Sequence, residues 1–241
     1  MSRRLGPLLV MVGCAGPASK PDTGAAAAPR VTLEGQITNL LTADGESGVE
    51  ICVEGTDDCA TSDASGAYRV RAEAEAEVEL VVSLDGHRSL LVPVQTGAED
   101  AALRPLSLLP EAIVDAQANA VGATGDPALG QLVFSVSNGI AGDGTNVAGV
   151  VATLEPASGV GVFYLGSTGL PDDNLEATSS NGGGGWLDVT PGAAALTFTN
   201  LPAGCVTLYG WDGPTPLRFS VRAAHATVLR IECADAAASR R

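Results

Sequence analysis

The chain has 241 residues, room for one large or two small domains, with 45% apolar, 4% aromatic and 17% charged residues. Thirty glycines and fourteen prolines bias it toward small residues and turns, but the profile is neither disordered nor collagenous. Thirteen Lys and Arg against 28 Asp and Glu leave a net charge of −15, which repels a phosphate backbone and argues against a nucleic-acid partner. The acidity runs through the whole foldable part and reads as a solvated surface.

Ser2-Arg3-Arg4 is a short basic start, followed by the apolar run Leu5 to Val12 and then Gly13-Cys14. That is the layout of an export signal, too short to span a bilayer as a permanent helix. Met11-Val12-Gly13-Cys14 resembles the bacterial lipoprotein lipobox, with Met11 where leucine is usual. The resemblance implies a signal peptide over 1–13 and lipidation, including palmitate, at Cys14. Residues 14–30, rich in Pro, Gly, Ala and Ser, read as a flexible tether. Ala15 is not acidic, which in the resembled lipoproteins points to the outer membrane rather than to retention at the inner one. Several acyl chains give stable anchoring where one alone is marginal.

Setting Cys14 aside leaves Cys52, Cys59, Cys205 and Cys233, an even number in a chain that leaves the reducing cytoplasm. Four cysteines allow three pairings. Cys52 and Cys59 lie in one hairpin, and Cys205 and Cys233 in the last part of the chain, so the two local bridges are expected. No CxxC occurs and His87 and His225 are far apart in sequence, so no metal site is expected.

From Val31 to Leu109, short runs of period-two alternation recur at 31–37, 49–53, 67–71, 78–84, 90–94 and 103–109, separated by turn clusters such as Asp63-Ala64-Ser65-Gly66. They predict a β-sandwich over 31–109. Val49, Ile51 and Val53 share the buried face, which puts Cys52 on the outer face. The segment Glu73–Glu79 sets helix propensity against alternation, and the alternation into Val78, Leu80 and Val82 decides for a strand in its second half. Glu77 and Glu79 then project from one face; two carboxylates fall short of the six to eight oxygens of a calcium site, so a solvated, charge-protected face is the reading.

The pieces Leu33–Ile37, Gly48–Thr56, Thr61–Val70 and Leu84–His87 resemble the carboxypeptidase regulatory-like domain of the transthyretin-like superfamily. In the third piece Asp63 folds its carboxylate onto the turn, Gly66 takes a positive φ and Tyr68 points its ring inward. The resemblance implies a noncatalytic sandwich that serves as a spacer or interaction module, with His87 as packing or turn decoration.

Residues 110–130 read as a connector with a short helix over Glu111–Val121 that ends at Gly122. Strands at 131–136, 147–154, 160–165, 185–189, 194–199, 205–209, 217–223 and 227–233 predict a second sandwich over 131–233, and 234–241 read as a disordered tail. The tetraglycine Gly182–Gly185 reads as a flexible loop. The fold class is therefore all-β, with two tandem prealbumin/Ig-like sandwiches as the preferred organisation and a single larger β-domain as the alternative.

No GxSxG, HExxH, P-loop or GxGxxG pattern occurs. Asp172 and Asp173 follow Pro171 in a turn with no spacing that fixes a partner. The remaining constellation is aromatic: Tyr164, Trp186, Tyr209 and Trp211. Trp186 reads as core, whereas Trp211-Asp212-Gly213-Pro214 reads as a turn that exposes the indole, so Trp211 and Tyr209 are the candidate ligand-binding pair. The expectation is a noncatalytic, lipid-anchored envelope protein without cofactors, acting as a structural or protein-interaction module with envelope proteins or glycans as partners. The alternative is carbohydrate binding through the aromatics of the second sandwich.

Overall fold

The computed structural model describes residues 28–138, 145–207, 210–211 and 215–233. Cys14, Tyr209, the leader and the tail lie outside the described residues. In the first half β1 (Arg30–Asn39), β2 (Glu50–Val53), β3 (Cys59–Thr61), β4 (Ala67–Glu73), β5 (Glu77–Ser83), β6 (His87–Gln95), β7 (Ala101–Ala102) and β8 (Leu106–Pro110) form, followed by α1 (Glu111–Val121). The second half holds β9 (Gly130–Asn138), β10 (Val151–Glu155), β11 (Val160–Tyr164), β12 (Gly183–Val189), β13 (Gly192–Thr199), β14 (Cys205–Val206), β15 (Leu217–Val221) and β16 (His225–Cys233).

Alternation does what the sequence requires of it. In β4 the pattern Ala67-Tyr68-Arg69-Val70-Arg71-Ala72-Glu73 buries every second side chain and exposes the rest. The preceding turn is closed by Asp63, whose Oδ1 accepts from Ser65 N (2.8 Å), Ser65 Oγ (2.7 Å) and Ala67 N (3.0 Å), with Gly66 at φ +79. These donors hold the Asp63 carboxyl below the usual carboxylate range, the Ser65 hydroxyl contributing most. Tyr68 points inward across from Gly35, and a Cβ on that glycine would meet the phenol oxygen at 2.5 Å. The ring thus fills the space of a missing side chain on the neighbouring strand. In the alanine–glutamate stretch, β4 ends at Glu73, Glu75 turns at φ +54, and β5 begins at Glu77.

The strand path β11-β12-β9-β16-β6-β5-β2-β3 is hydrogen-bonded without a break across both halves. Its seam is the parallel pairing of β16 with β6, His225 opposite Ser89, Ala226 opposite Leu90 and Thr227 opposite Leu91. The division between 31–109 and 131–233 is therefore no break in the sheet. Alternation along β16 sends Ala226 and Val228 to one face and Leu229, Ile231 and Cys233 to the other. On the first face β1, β4, β8 and α1 enclose a core containing Leu33, Ile37, Leu80, Leu90, Leu108 and Val114. On the second, the three-stranded sheet β10-β13-β15 encloses a core containing Phe134, Trp186, Leu196, Phe219 and Leu229.

Helix α1 forms where predicted and ends at Gly122 in the left-handed region (φ 69), where the Ala123 N–H reaches Ala118 O at 2.9 Å. It buries Val114 and Ala118 in the first core, and Gln117 Oε1 accepts from Gln131 Nε2 of β9 at 3.2 Å.

The tetraglycine departs from expectation. Gly183–Gly185 open the central strand β12, fully enclosed between β11 and β9. A Cβ on Gly184 would meet Phe134 Cζ and Phe163 O, each at 2.8 Å, and one on Gly185 would collide with Leu132 O. Glycine is required here for close backbone approach.

Candidate functional site

The four described cysteines form the two local bridges. Cys52–Cys59 joins directly opposed residues of β2 and β3, and Cys205–Cys233 joins opposed residues of β14 and β16. The first bridge lies on the outer face with Cys59 exposed, whereas Cys205 and Cys233 are buried. The Glu50 carboxylate and the sulfurs of Cys52 and Cys59 lie within 4.8 Å of one another, but sulfurs spent on each other offer no thiolates to a cation.

Trp211 does not have the exposure its turn chemistry implies. Only 8% of it is accessible, Nε1 donates to Thr215 O at 2.5 Å, and its N–H reaches Thr207 Oγ1 at 3.1 Å. Its indole lies 5.9 Å from the Phe198 ring, which leads to Phe134 (5.7 Å) and from there to Trp186 (6.0 Å) and Tyr164 (6.4 Å). Tyr164, Trp186 and Trp211 are thus linked through Phe134 and the partly buried Phe198 in one chain of ring contacts in the second core. Trp186 is core, as read from its alternation, and the Tyr164 hydroxyl accepts from Ala152 N at 3.1 Å. His87 decorates its turn, with Nδ1 3.2 Å from Asp85 O. Asp172 accepts from the backbone and side-chain amides of Asn174, which hold its carboxyl below the usual range.

Glu77 and Glu79 share a face, Glu77 exposed and Glu79 half-buried. With Glu54, Pro93, Arg218 and Phe219 they line a cleft of about 660 Å³ where β15 lies over the outer side of β5 and β6. Arg222 pairs with two of its acids, 2.9 Å from a Glu54 oxygen and 3.8 Å from one of Glu79. Farther along the seam Arg104 pairs with the nearly buried Glu232 at 3.0 Å, and Arg230 donates to Pro105 O at 2.8 Å. The Asp188 carboxylate collects Thr124 N (2.7 Å), Thr124 Oγ1 (2.8 Å) and Gly125 N (3.1 Å). Burial works to raise its pKa, but these donors and the Asp126 amide outweigh it and hold the carboxyl below the usual range. Arg104, Arg222 and Glu232 escape sequence reasoning because each partner is remote in the chain. An isolated cation in an acidic chain, as at Arg222, is the signal that could have marked them.

Among the described residues no helix is long and apolar enough to cross a membrane. Leu40 and Leu41 stand exposed in the β1–β2 loop, 42% and 71% accessible. Nothing in the alternation of β1 had singled them out.

The fold is an all-β sandwich assembly. Neither protein-family models nor curated proteins match the chain. Among solved structures it is similar to the minor pilin GBS52 of Streptococcus agalactiae (12% identity, 86% of this chain and 96% of that one, TM-score 0.30). It is also similar to the shaft pilin SpaA of Lactobacillus rhamnosus GG (8% identity, 85% and 97%, TM-score 0.26). A third similarity is to a type II cohesin–X-dockerin complex from Acetivibrio cellulolyticus (14% identity, TM-score 0.30), where the match takes in 33% of this chain and 58% of that one. At such scores these are likenesses of β architecture and nothing more.

Proposed function

We propose that this protein is an exported envelope component, lipid-anchored through Cys14 and tethered over residues 14–30, whose sheets serve as a noncatalytic structural or protein-interaction module. The observation that carries the reading is the pair of disulfides, each closing directly opposed strands, one in each half. Such bridges belong to an oxidising compartment. Cross-seam ion pairs and the unbroken sheet favour a stiff spacer over a hinged pair of domains. The resemblance of 31–109 to carboxypeptidase regulatory-like domains points the same way, and the outer membrane is the location that Ala15 favours. Glycan stacking has less support, because the Trp211 indole is enclosed.

The test is acyl labelling of the full chain with an alkynyl palmitate analogue, followed by membrane fractionation and gentle crosslinking. The wild type should take up label, sediment with membranes and yield a crosslinked protein partner, and Cys14→Ala should do none of these. Equal labelling of the two chains, or a wild type free in the cytosol, would refute the anchor. Turnover of a hydrolase substrate panel would refute the noncatalytic reading.

A further inference from the structure

We infer that the tip of the β1–β2 loop is a docking surface for a segment of a partner protein that presents an apolar side chain flanked by Lys or Arg, which deepens the interaction-module reading. Leu40 and Leu41 are adjacent, 42% and 71% accessible. Of the described residues, the other exposed large apolar side chain is Leu170. Strand directions place Leu170 at the opposite end of the molecule, since β11, which precedes it, runs parallel to β6, and β1 runs antiparallel to β6.

The loop is built to hold the two leucines out. Asn39 N donates to Asp44 O (2.8 Å) and Ala43 N to Asn39 O (2.9 Å). The Asn39 side-chain oxygen accepts from Leu41 N (2.9 Å) and Thr42 N (3.3 Å), and Ala43 takes φ +60. Thr38 bridges to Gly45 below. A tip already ordered before binding gives up little conformational entropy when a partner closes on it.

The charges around the tip choose the occupant. Asp44 and Glu46 stand on the loop and Asp85 lies at the same end of the sheets, where Arg88 and Glu111 cancel each other in an ion pair at 2.9 Å. An anionic lipid surface is repelled by this rim, and so is a second copy of the same acidic tip. An apolar side chain flanked by Lys or Arg on a segment of another protein is complementary to it. The position fits as well: β1 runs from Arg30 to Asn39, so the tip stands roughly 30 Å from the point where the tether enters the fold.

A random peptide library selected on the full wild-type chain, with the enriched peptides then titrated against Leu40→Ser/Leu41→Ser, tests the assignment. Enriched peptides should carry an apolar residue flanked by Lys or Arg. They should bind the double variant at least about tenfold more weakly than the wild type, and weaken in high salt and with Asp44→Lys, which leaves the leucines in place. An unchanged melting temperature shows that the loop changes spare the fold, and Asp44→Lys alone tests the charge rim if the double variant does not fold. No enrichment, equal binding to both chains or peptides without basic flanks would overturn the proposal. Leucine-dependent binding to phosphatidylglycerol vesicles, or a wild-type dimer lost in the double variant, would overturn it in favour of a lipid or a second copy. Cys14→Ser should bind the peptides as the wild type does, so failure of the anchor and failure of the tip give different results.

Discussion

The two halves solve the same problem with different materials. The first packs β-branched and leucine side chains around Tyr68, with an exposed disulfide at its edge. The second packs an aromatic chain from Tyr164 to Trp211 over a glycine strand, with a buried disulfide at its end. Yet β6 and β16 make them one sheet, and each half uses the opposite face of it. Large rings need backbone to withdraw, so the glycines of β12 and the aromatics of the second core belong together as a single packing solution.

Placing a side chain on the glycine strand should have the largest effect. Gly185→Val drives its branched carbon into Leu132 O and should cost about 4 kcal/mol or more, whereas Gly48→Ala, with open space but φ +76, should cost only about 1 kcal/mol; urea unfolding followed by circular dichroism compares them. The bridges come next. Removing Cys205–Cys233, separated by 28 residues, should cost about 3.5 kcal/mol, and removing Cys52–Cys59, separated by 7, about 2.5 kcal/mol, by the loop-length dependence of chain entropy. Calorimetry of the paired serine variants checks the order.

Much of this difference was legible in the sequence and part was not. Val31, Leu33 and Ile37 or Leu80 and Val82 announce a face by alternation, and the local cysteine pairs follow from their hairpin and chain positions. Helix α1 is legible because Gly122 marks its end. The seam is invisible to such reasoning, since alternation in His225–Cys233 says which side chains share a face but not that Leu90 is the neighbour. Gly183–Gly185 carry no side chains to alternate, so a central strand looks like a loop. Trp211 misleads because Asp212-Gly213-Pro214 promises exposure, while the ring is long enough to reach back over Phe198.

Smaller effects should come from single polar groups, one at the connector and one in the first core. Asp188→Ala leaves the Thr124 and Gly125 donors without their carboxylate and should cost about 1–2 kcal/mol at neutral pH. The folded pKa of Asp188 is lowered, so its contribution is complete above the ordinary carboxylate pKa and fades as pH falls through the folded value. Acid titration of stability should show a shallower loss below about pH 4 in Asp188→Asn than in the wild type. The smallest effect should come from Tyr68→Phe. Burial pushes this phenol up to about 12, and its hydroxyl is buried with no hydrogen-bond partner, so removing it should leave stability unchanged or raise it by up to about 1 kcal/mol, read by thermal melting.

The central claim is that one sheet binds the halves into a single cooperative unit. Native-state hydrogen exchange of the oxidised full chain, followed on peptides covering 87–95 and 225–233, addresses it most directly. The amides of β6 and β16 that face each other should exchange with the same free energy, equal to that of global unfolding and falling together when Gly185→Val damages the second core. Protection of β6 that survives while β16 exchanges by a separate, cheaper opening would contradict the account.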